Sequence, residues 1–179
     1  MSALDTVKEK AQKVKLLLSD VDGVLTDGRL IYSDSGVETK EFHVRDGLAV
    51  KLWRNGGYQF GLITARKSEC VARRAKELQV DFLLQSKPEK LKAVQEIAKQ
   101  ENIELSEIGY VGDDLHDLSA VEQVGLGVTV SDAAAEVLQA ADLVLTHRGG
   151  QGALRELVEF ILKSRDEWSQ TIQHFSTKT

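Results

Sequence analysis

Aspartates gather in this chain at two places where an apolar run has just ended. The first is LLLSDVDGVLTDG, Leu16 to Gly28, in which Asp20 and Asp22 follow a run of leucines. Side chains two residues apart in extended backbone point to one side, so these two carboxylates can converge. They repel unless a cation lies between them or one of them is protonated. A hard dication such as Mg²⁺ suits an all-oxygen set of this kind and keeps several of its own waters. For the DxD in isolation, the plain alternative is a solvated acidic turn. The second place is GYVGDDLHD, Gly109 to Asp117, where apolar residues end in a glycine and Asp113, Asp114 and Asp117 follow. Asp113 could complete the cation site, while Asp117, one helical turn on from Asp113 or Asp114, could orient a neighbour. Helix capping would explain one of these aspartates but not all three.

Two further positions offer groups of the opposite kind. Thr64, in GLITAR, brings a hydroxyl and backbone N–H groups to the predicted start of a helix, where an anion is favoured. Lys90, in SKPEKL, can bring an ammonium to the same side. Their ordinary readings are a helix cap and a solvated surface lysine.

These residues need a scaffold that aims them at one point. Short apolar runs at Val14 to Ser19, Phe60 to Thr64, Asp81 to Leu84, Ile108 to Val111, Gly125 to Val130 and Leu143 to Thr146 read as buried strands. Between some of them lie amphipathic helices, Lys67 to Leu78 and Pro88 to Gln100, the latter with a stripe of Leu91, Val94, Ile97 and Ala98. Strands alternating with helices predict an α/β fold, a Rossmann-like, mostly parallel sheet with helices on both faces. In such sheets ligands bind beyond the carboxyl ends of the strands, where all the residues above fall. One segment breaks the alternation: about 29–42, RLIYSDSGVETKEF with its neighbours, reads as a β-hairpin flap turning at Ser33-Asp34-Ser35-Gly36. The polar tail, about 165–179, contains Trp168 and Phe175 and is expected to be frayed or docked on a partner.

Composition bounds the partners. A length of 179 residues, 42% of them hydrophobic, predicts one domain over 1–179 with one good core. A net charge of -5 gives no general support for a nucleic-acid or acidic-membrane surface, so neither partner is expected and a bound anion must be held locally. The lone Cys70 cannot form an internal disulfide, and the charged N-terminus lacks the apolar core of a secretory signal, which predicts a cytoplasmic protein. No apolar run approaches the roughly 20 residues that span a bilayer.

The order Asp-x-Asp, Thr, Lys, then Gly-Asp-Asp-x-x-Asp, each at or beyond a predicted strand end, resembles the haloacid-dehalogenase superfamily over nearly the whole chain. DVDGVLTDG, HVRDG and the late RGGQGALREL resemble, within it, the cap-less family of 3-deoxy-D-manno-octulosonate 8-phosphate phosphatases, which serve lipopolysaccharide precursor synthesis. Related sialic-acid-type 9-phosphate phosphatases come next. The resemblance implies Asp20 as nucleophile, Asp22 as general acid and base, Thr64 and Lys90 as phosphate binders, and Asp20, Asp113 and the Asp22 backbone carbonyl as Mg²⁺ ligands. It also implies a sugar-acid phosphate substrate, with His43, Val44, Arg45, Asp46 and Gly47 lining the sugar site and Lys51, Arg66 and Arg74 nearby. Arg45 and Arg66 could hold a carboxylate bidentately. Three positions depart from the family pattern: His43 for asparagine, Ala65 for glycine and Lys51 for arginine. The segments between Asp22, Thr64 and Lys90 are too short for a cap domain. By the same resemblance the chain is expected to form a homotetramer through its hairpins, with Gly149 to Arg155 covering a neighbour's site or else forming a glycine-rich turn into the last helix. A phosphorylation-receiver domain is a rival of another class; it places its acidic pair before the phosphoacceptor and has no late GDDxxD.

Overall fold

The structure is a computed structural model, and it describes residues 2–176. Its central sheet has six parallel strands in the order β5-β4-β1-β6-β7-β8: β1 (Leu16–Ser19), β4 (Gln59–Ile63), β5 (Phe82–Leu84), β6 (Ile108–Gly112), β7 (Leu126–Thr129) and β8 (Leu143–Val144). Alternate residues of β1 serve opposite faces. Leu17 joins Phe60, Leu62, Val111 and Val128 against α1 (Ala3–Lys13), α2 (Val44–Asn55), α3 (Glu69–Leu78) and α7 (Ala153–Ser164). Leu16 and Leu18 join Ile63, Ile108 and Tyr110 against α4 (Lys90–Glu101), α5 (Leu118–Gln123) and α6 (Ala135–Ala140). All four residues of β1 are buried, as a strand covered on both faces requires.

From β1 the chain proceeds outward through β4 and β5, then returns to the other side of β1 as β6 and proceeds outward again. The strand order reverses between β1 and β6, the position where α/β sheets open a crevice at their carboxyl ends. Ser19 is in register with Leu62 on one side and Val111 on the other. One residue further along, Asp20 is flanked by the ends of β4 and β6, and Thr64 and Asp113 lie one step beyond it.

The flap is a two-stranded hairpin, β2 (Ile31–Tyr32) with β3 (Glu38–Thr39), largely exposed and turning at Gly36 with a φ of +79°. Among the described residues, only this hairpin and α2 separate β1 from β4, so no cap domain interrupts the sheet there. No helix of the described residues is long and apolar enough to cross a membrane.

One expectation changes. Over its described part the tail is not frayed: it forms α8 (Trp168–Ser176), and the segment leading into it lies on the chain's own body. The Arg165 guanidinium sits 4.5 Å from the Tyr58 ring centre, Tyr58 donates its hydroxyl to Glu167 at 2.7 Å, and Arg155 lies 5.1 Å over the Trp168 ring. Cation–π contacts of this kind give a polar tail an energetic reason to dock. Residues 177–179 lie outside the described residues. Gly149 to Gly152 form a glycine-rich turn that leads into α7. Gly150 donates its N–H to the Val24 carbonyl at 2.9 Å, and a Cβ on Gly149 would overlap the Gly23 carbonyl, so this turn clamps the loop after β1.

Candidate active site

The predicted catalytic and metal-site residues meet at the carboxyl edge of the sheet. Asp20, Asp22, Thr64, Lys90, Asp113, Asp114 and Asp117 line one cavity of about 360 Å³, together with Gly28, Leu30, Ala65, Arg66 and His116. Lys90 is the first residue of α4, and only 1% of it is exposed. The reading of a surface lysine is therefore excluded. Its Nζ donates to Asp20 Oδ1 at 2.5 Å and to the Ile63 carbonyl at 2.8 Å, and lies 3.3 Å from Asp117 Oδ1.

Asp117 is more central than its distance along the chain suggested. Its Oδ1 accepts from the Tyr110 hydroxyl at 2.5 Å, and its Oδ2 accepts from the backbone N–H groups of Asp113 and Asp114 at 3.1 and 3.3 Å. These bonds fix the turn after β6 and so aim Asp113. Asp114 is exposed at the cavity edge. Gly23 makes the approach of the two acidic loops possible: its φ is +99°, and a Cβ there would overlap the Asp113 carboxylate.

The cluster is electrostatically incomplete. Burial, then the nearby Asp117 charge, raises the Asp20 pKa to about 6 despite Lys90. Burial, followed by repulsion from Asp20, Asp117 and Asp114, raises that of Asp113 to about 8. Carboxylate oxygens of Asp20, Asp113 and Asp117 lie within 4.8 Å of one another, and Asp113 Oδ1 is buried without a hydrogen bond. A convergent, all-oxygen set with an orphaned acceptor fits a hard dication, which would remove the repulsion. Asp20 and Asp113 would hold it, with the Asp22 backbone carbonyl as the resemblance implies.

Thr64 departs from its expected setting. Helix α3 begins at Glu69 and is capped by Ser68, so a turn separates Thr64 from the helix and the helix-dipole argument lapses. The buried Thr64 hydroxyl oxygen instead accepts from the Arg66 N–H at 3.1 Å while facing the cavity.

Of the residues expected around the sugar, only Arg66 lines this cavity, and its Nη2 already donates to Tyr32 at 2.5 Å and to Glu38 at 3.4 Å. His43, Val44, Arg45, Asp46, Gly47, Lys51 and Arg74 do not line it. The reason is the packing of α2. His43 caps that helix through Nδ1, accepting from Arg45 N–H at 3.2 Å, and Asp46 is buried against α7, accepting from Arg155 N–H at 2.9 Å. Gly47 packs tightly on the Arg74 guanidinium, which also lies 5.7 Å over Phe42. Val44, Arg45 and Lys51 face outward.

Glu38 and Lys40 were not singled out in the sequence. Lys40, 1% exposed in its side chain, ion-pairs with Asp22 Oδ1 and lies 3.5 Å from Glu38 Oε1. The two-residue spacing in ETKEF, which places Glu38 and Lys40 on one side of a strand, was the available signal.

A family model described as haloacid dehalogenase-like hydrolase matches residues 82–157. The 3-deoxy-D-manno-octulosonate 8-phosphate phosphatase KdsC of Haemophilus influenzae is 37% identical over 163 residues, covering 91% of both chains. This chain belongs to that phosphatase family. A member from Escherichia coli K12 is 38% identical over 86% of this chain and 81% of its own. The crystal structure of the Moraxella catarrhalis phosphatase, in complex with magnesium, phosphate and KDO, superposes with a TM-score of 0.95 at 40% identity, covering 96% of this chain and 99% of the other. A cobalt-bound form of the Haemophilus influenzae enzyme superposes at 0.88. Membership disposes of the receiver-domain rival.

Proposed function

We propose that this chain is a Mg²⁺-dependent phosphomonoesterase that hydrolyses 3-deoxy-D-manno-octulosonate 8-phosphate, working as one phosphatase domain within a cytoplasmic homotetramer. The observation that carries the reading is the buried Lys90 ammonium bonded to Asp20 beside the orphaned carboxylate of Asp113. Family membership supplies the substrate class.

Asp20 attacks phosphorus, forming an Asp20–phosphorus bond as the bond to the sugar oxygen breaks. Asp22 gives its proton to that oxygen. A water then attacks the phosphorus, Asp22 takes up the water's proton, and the bond to Asp20 breaks to release phosphate. Lys90 holds Asp20 in place and offsets its charge, and Thr64 offers a hydroxyl to a phosphoryl oxygen. Mg²⁺ between Asp20 and Asp113 would neutralise the approach of one anion to another. Asp117, accepting from the backbone N–H groups of Asp113 and Asp114, keeps Asp113 in position.

The open cavity calls for a cover. The hairpin exposes Leu30, Ile31, Tyr32 and Val37, and Val44 at the start of α2 is 81% exposed. An apolar surface of this kind supports self-association, and in a tetramer the outward residues Val44, Arg45 and Lys51, with the half-buried His43 that caps their helix, would meet a site other than their own. Asp46, Gly47 and Arg74 support that surface from within.

A panel of phosphorylated sugar acids, including sialic-acid-type 9-phosphates, tested with Mg²⁺ beside common hexose phosphates, checks the substrate. The octulosonate 8-phosphate is expected to have the highest kcat/KM. A wide margin for hexose phosphates would remove the specific reading and leave a general phosphatase. Sedimentation equilibrium checks the tetramer.

A further inference from the structure

We infer that Lys40 is a positioning residue for Asp22, holding one carboxylate oxygen so that the other is presented for proton transfer; this rests on the phosphatase reading above. Lys40 follows β3 on the hairpin, 18 residues from Asp22 in the chain. Its ammonium is buried and pairs with Asp22 Oδ1. Asp22 Oδ2 is buried and makes no hydrogen bond, and Arg66 Nε, itself without a hydrogen bond, lies 4.0 Å from it. The two oxygens of one carboxylate therefore have different environments. One is tied to the Lys40 ammonium, and the other faces Arg66 at 4.0 Å and is left free of any hydrogen bond within the chain.

The grip on Lys40 is also built. Glu38 Oε1 lies 3.5 Å from the Lys40 ammonium, Glu38 Oε2 accepts from the Ser68 hydroxyl, and Arg66 joins Glu38 to Tyr32. The base of the flap is thus fastened to the turn after β4, and Lys40 carries that anchorage to Asp22. An unbound aspartate samples several rotamers, and general acid catalysis requires the proton within hydrogen-bond reach of the leaving oxygen.

In the first step the proton on Asp22 Oδ2 passes to the sugar oxygen as its bond to phosphorus breaks. An alkyl leaving group needs that proton, and a nitrophenolate does not. The test compares kcat/KM, which reports through phosphoryl transfer, for p-nitrophenyl phosphate and for the octulosonate 8-phosphate. Lys40→Met is expected to cost the alkyl substrate on the order of 100-fold, within the range typical of a positioned general acid, and the aryl substrate less than about 5-fold. Lys40→Arg should recover most of the loss. Adding Lys40→Met to Asp22→Asn should cost the alkyl substrate little more than Asp22→Asn alone. Should the methionine variant not fold, Lys40→Gln is read by the same ratio. Equal losses on both substrates, meaning that Lys40 only holds up the flap, would overturn the inference, as would no loss on either. A wild-type protein that turns over neither substrate with Mg²⁺ would overturn the phosphatase reading itself, and the role of Lys40 with it.

Discussion

Removing the dication from this site should make the protein less stable as pH rises, the reverse of what its surface carboxylates would produce. Asp113 has a pKa raised from the ordinary 3.8 to about 8. Asp20 is raised to about 6. Because the folded chain holds protons that the unfolded chain has already released, raising the pH takes protons from the folded state at a cost. Stability is therefore fully present below the ordinary carboxylate range and is lost as pH climbs through about 6 and then about 8. A gap of about four pKa units at about 1.4 kcal/mol each would reach about 6 kcal/mol for Asp113. Solvent at the open side of the cavity and the shared charge with Asp20 reduce this to about 2 kcal/mol. For a chain of this size that is a fall in Tm of about 4–8 °C over the whole span from the ordinary pKa to the raised one, rather more than half of it above pH 5.5. The window between pH 5.5 and 8.5 isolates the effect, because carboxylates whose pKa is lowered, such as Glu38 and Glu156, titrate below it. The assay is thermal unfolding across that window in chelator and in excess Mg²⁺. In chelator Tm should fall; in Mg²⁺ it should stay nearly level, so that the gain from Mg²⁺ grows with pH. Asp113→Asn should flatten the chelator curve and remove the response to Mg²⁺. A chelator Tm that is flat or rises between pH 5.5 and 8.5, or an Asp113→Asn variant with the wild-type slope, would refute the reasoning.

Three other outcomes follow from the same geometry. Asp20→Asn should lower turnover of p-nitrophenyl phosphate more than about 1,000-fold in a colorimetric assay, since it removes the nucleophile. Lys90→Met leaves the buried Asp20 and Asp117 without their shared cation and should destabilise the chelated protein by about 3–5 kcal/mol in urea titrations at pH 8. The loss should shrink at pH 5.5, where Asp20 takes up a proton. Gly23→Ala forces a side chain onto a backbone with φ of +99° and against Asp113, and should cost about 1–3 kcal/mol of stability in the same titration while weakening Mg²⁺ binding by calorimetry.

Much of this arrangement could be read from local pattern. The leucines of β1 make a strand that must be buried on both faces, and a residue immediately after such a strand must emerge at the sheet edge. That is why Asp20, Asp113 and Thr64 could be placed on one edge before any contact was known. The amphipathic run that became α4 was legible for the same reason, although Lys90 at its head read as solvated. The helix after Thr64 began later than expected because Ser68, four residues on, is the better cap.

Sequence alone thus determined the alternation of strands and helices, the sheet edge carrying the chemistry, and the residue types able to attack, protonate and neutralise a phosphate ester. Periodicity and strand termination are local properties, and local properties survive in a linear pattern. The folded structure decided which charges meet. It buried Lys90 against Asp20, brought Lys40 back across the hairpin to Asp22, and turned His43, Asp46 and Gly47 into the foundations of α2 and α7 instead of walls of the cavity. Those pairings join residues far apart in the chain, so their energies depend on burial and approach, which exist only once the sheet is packed on both faces.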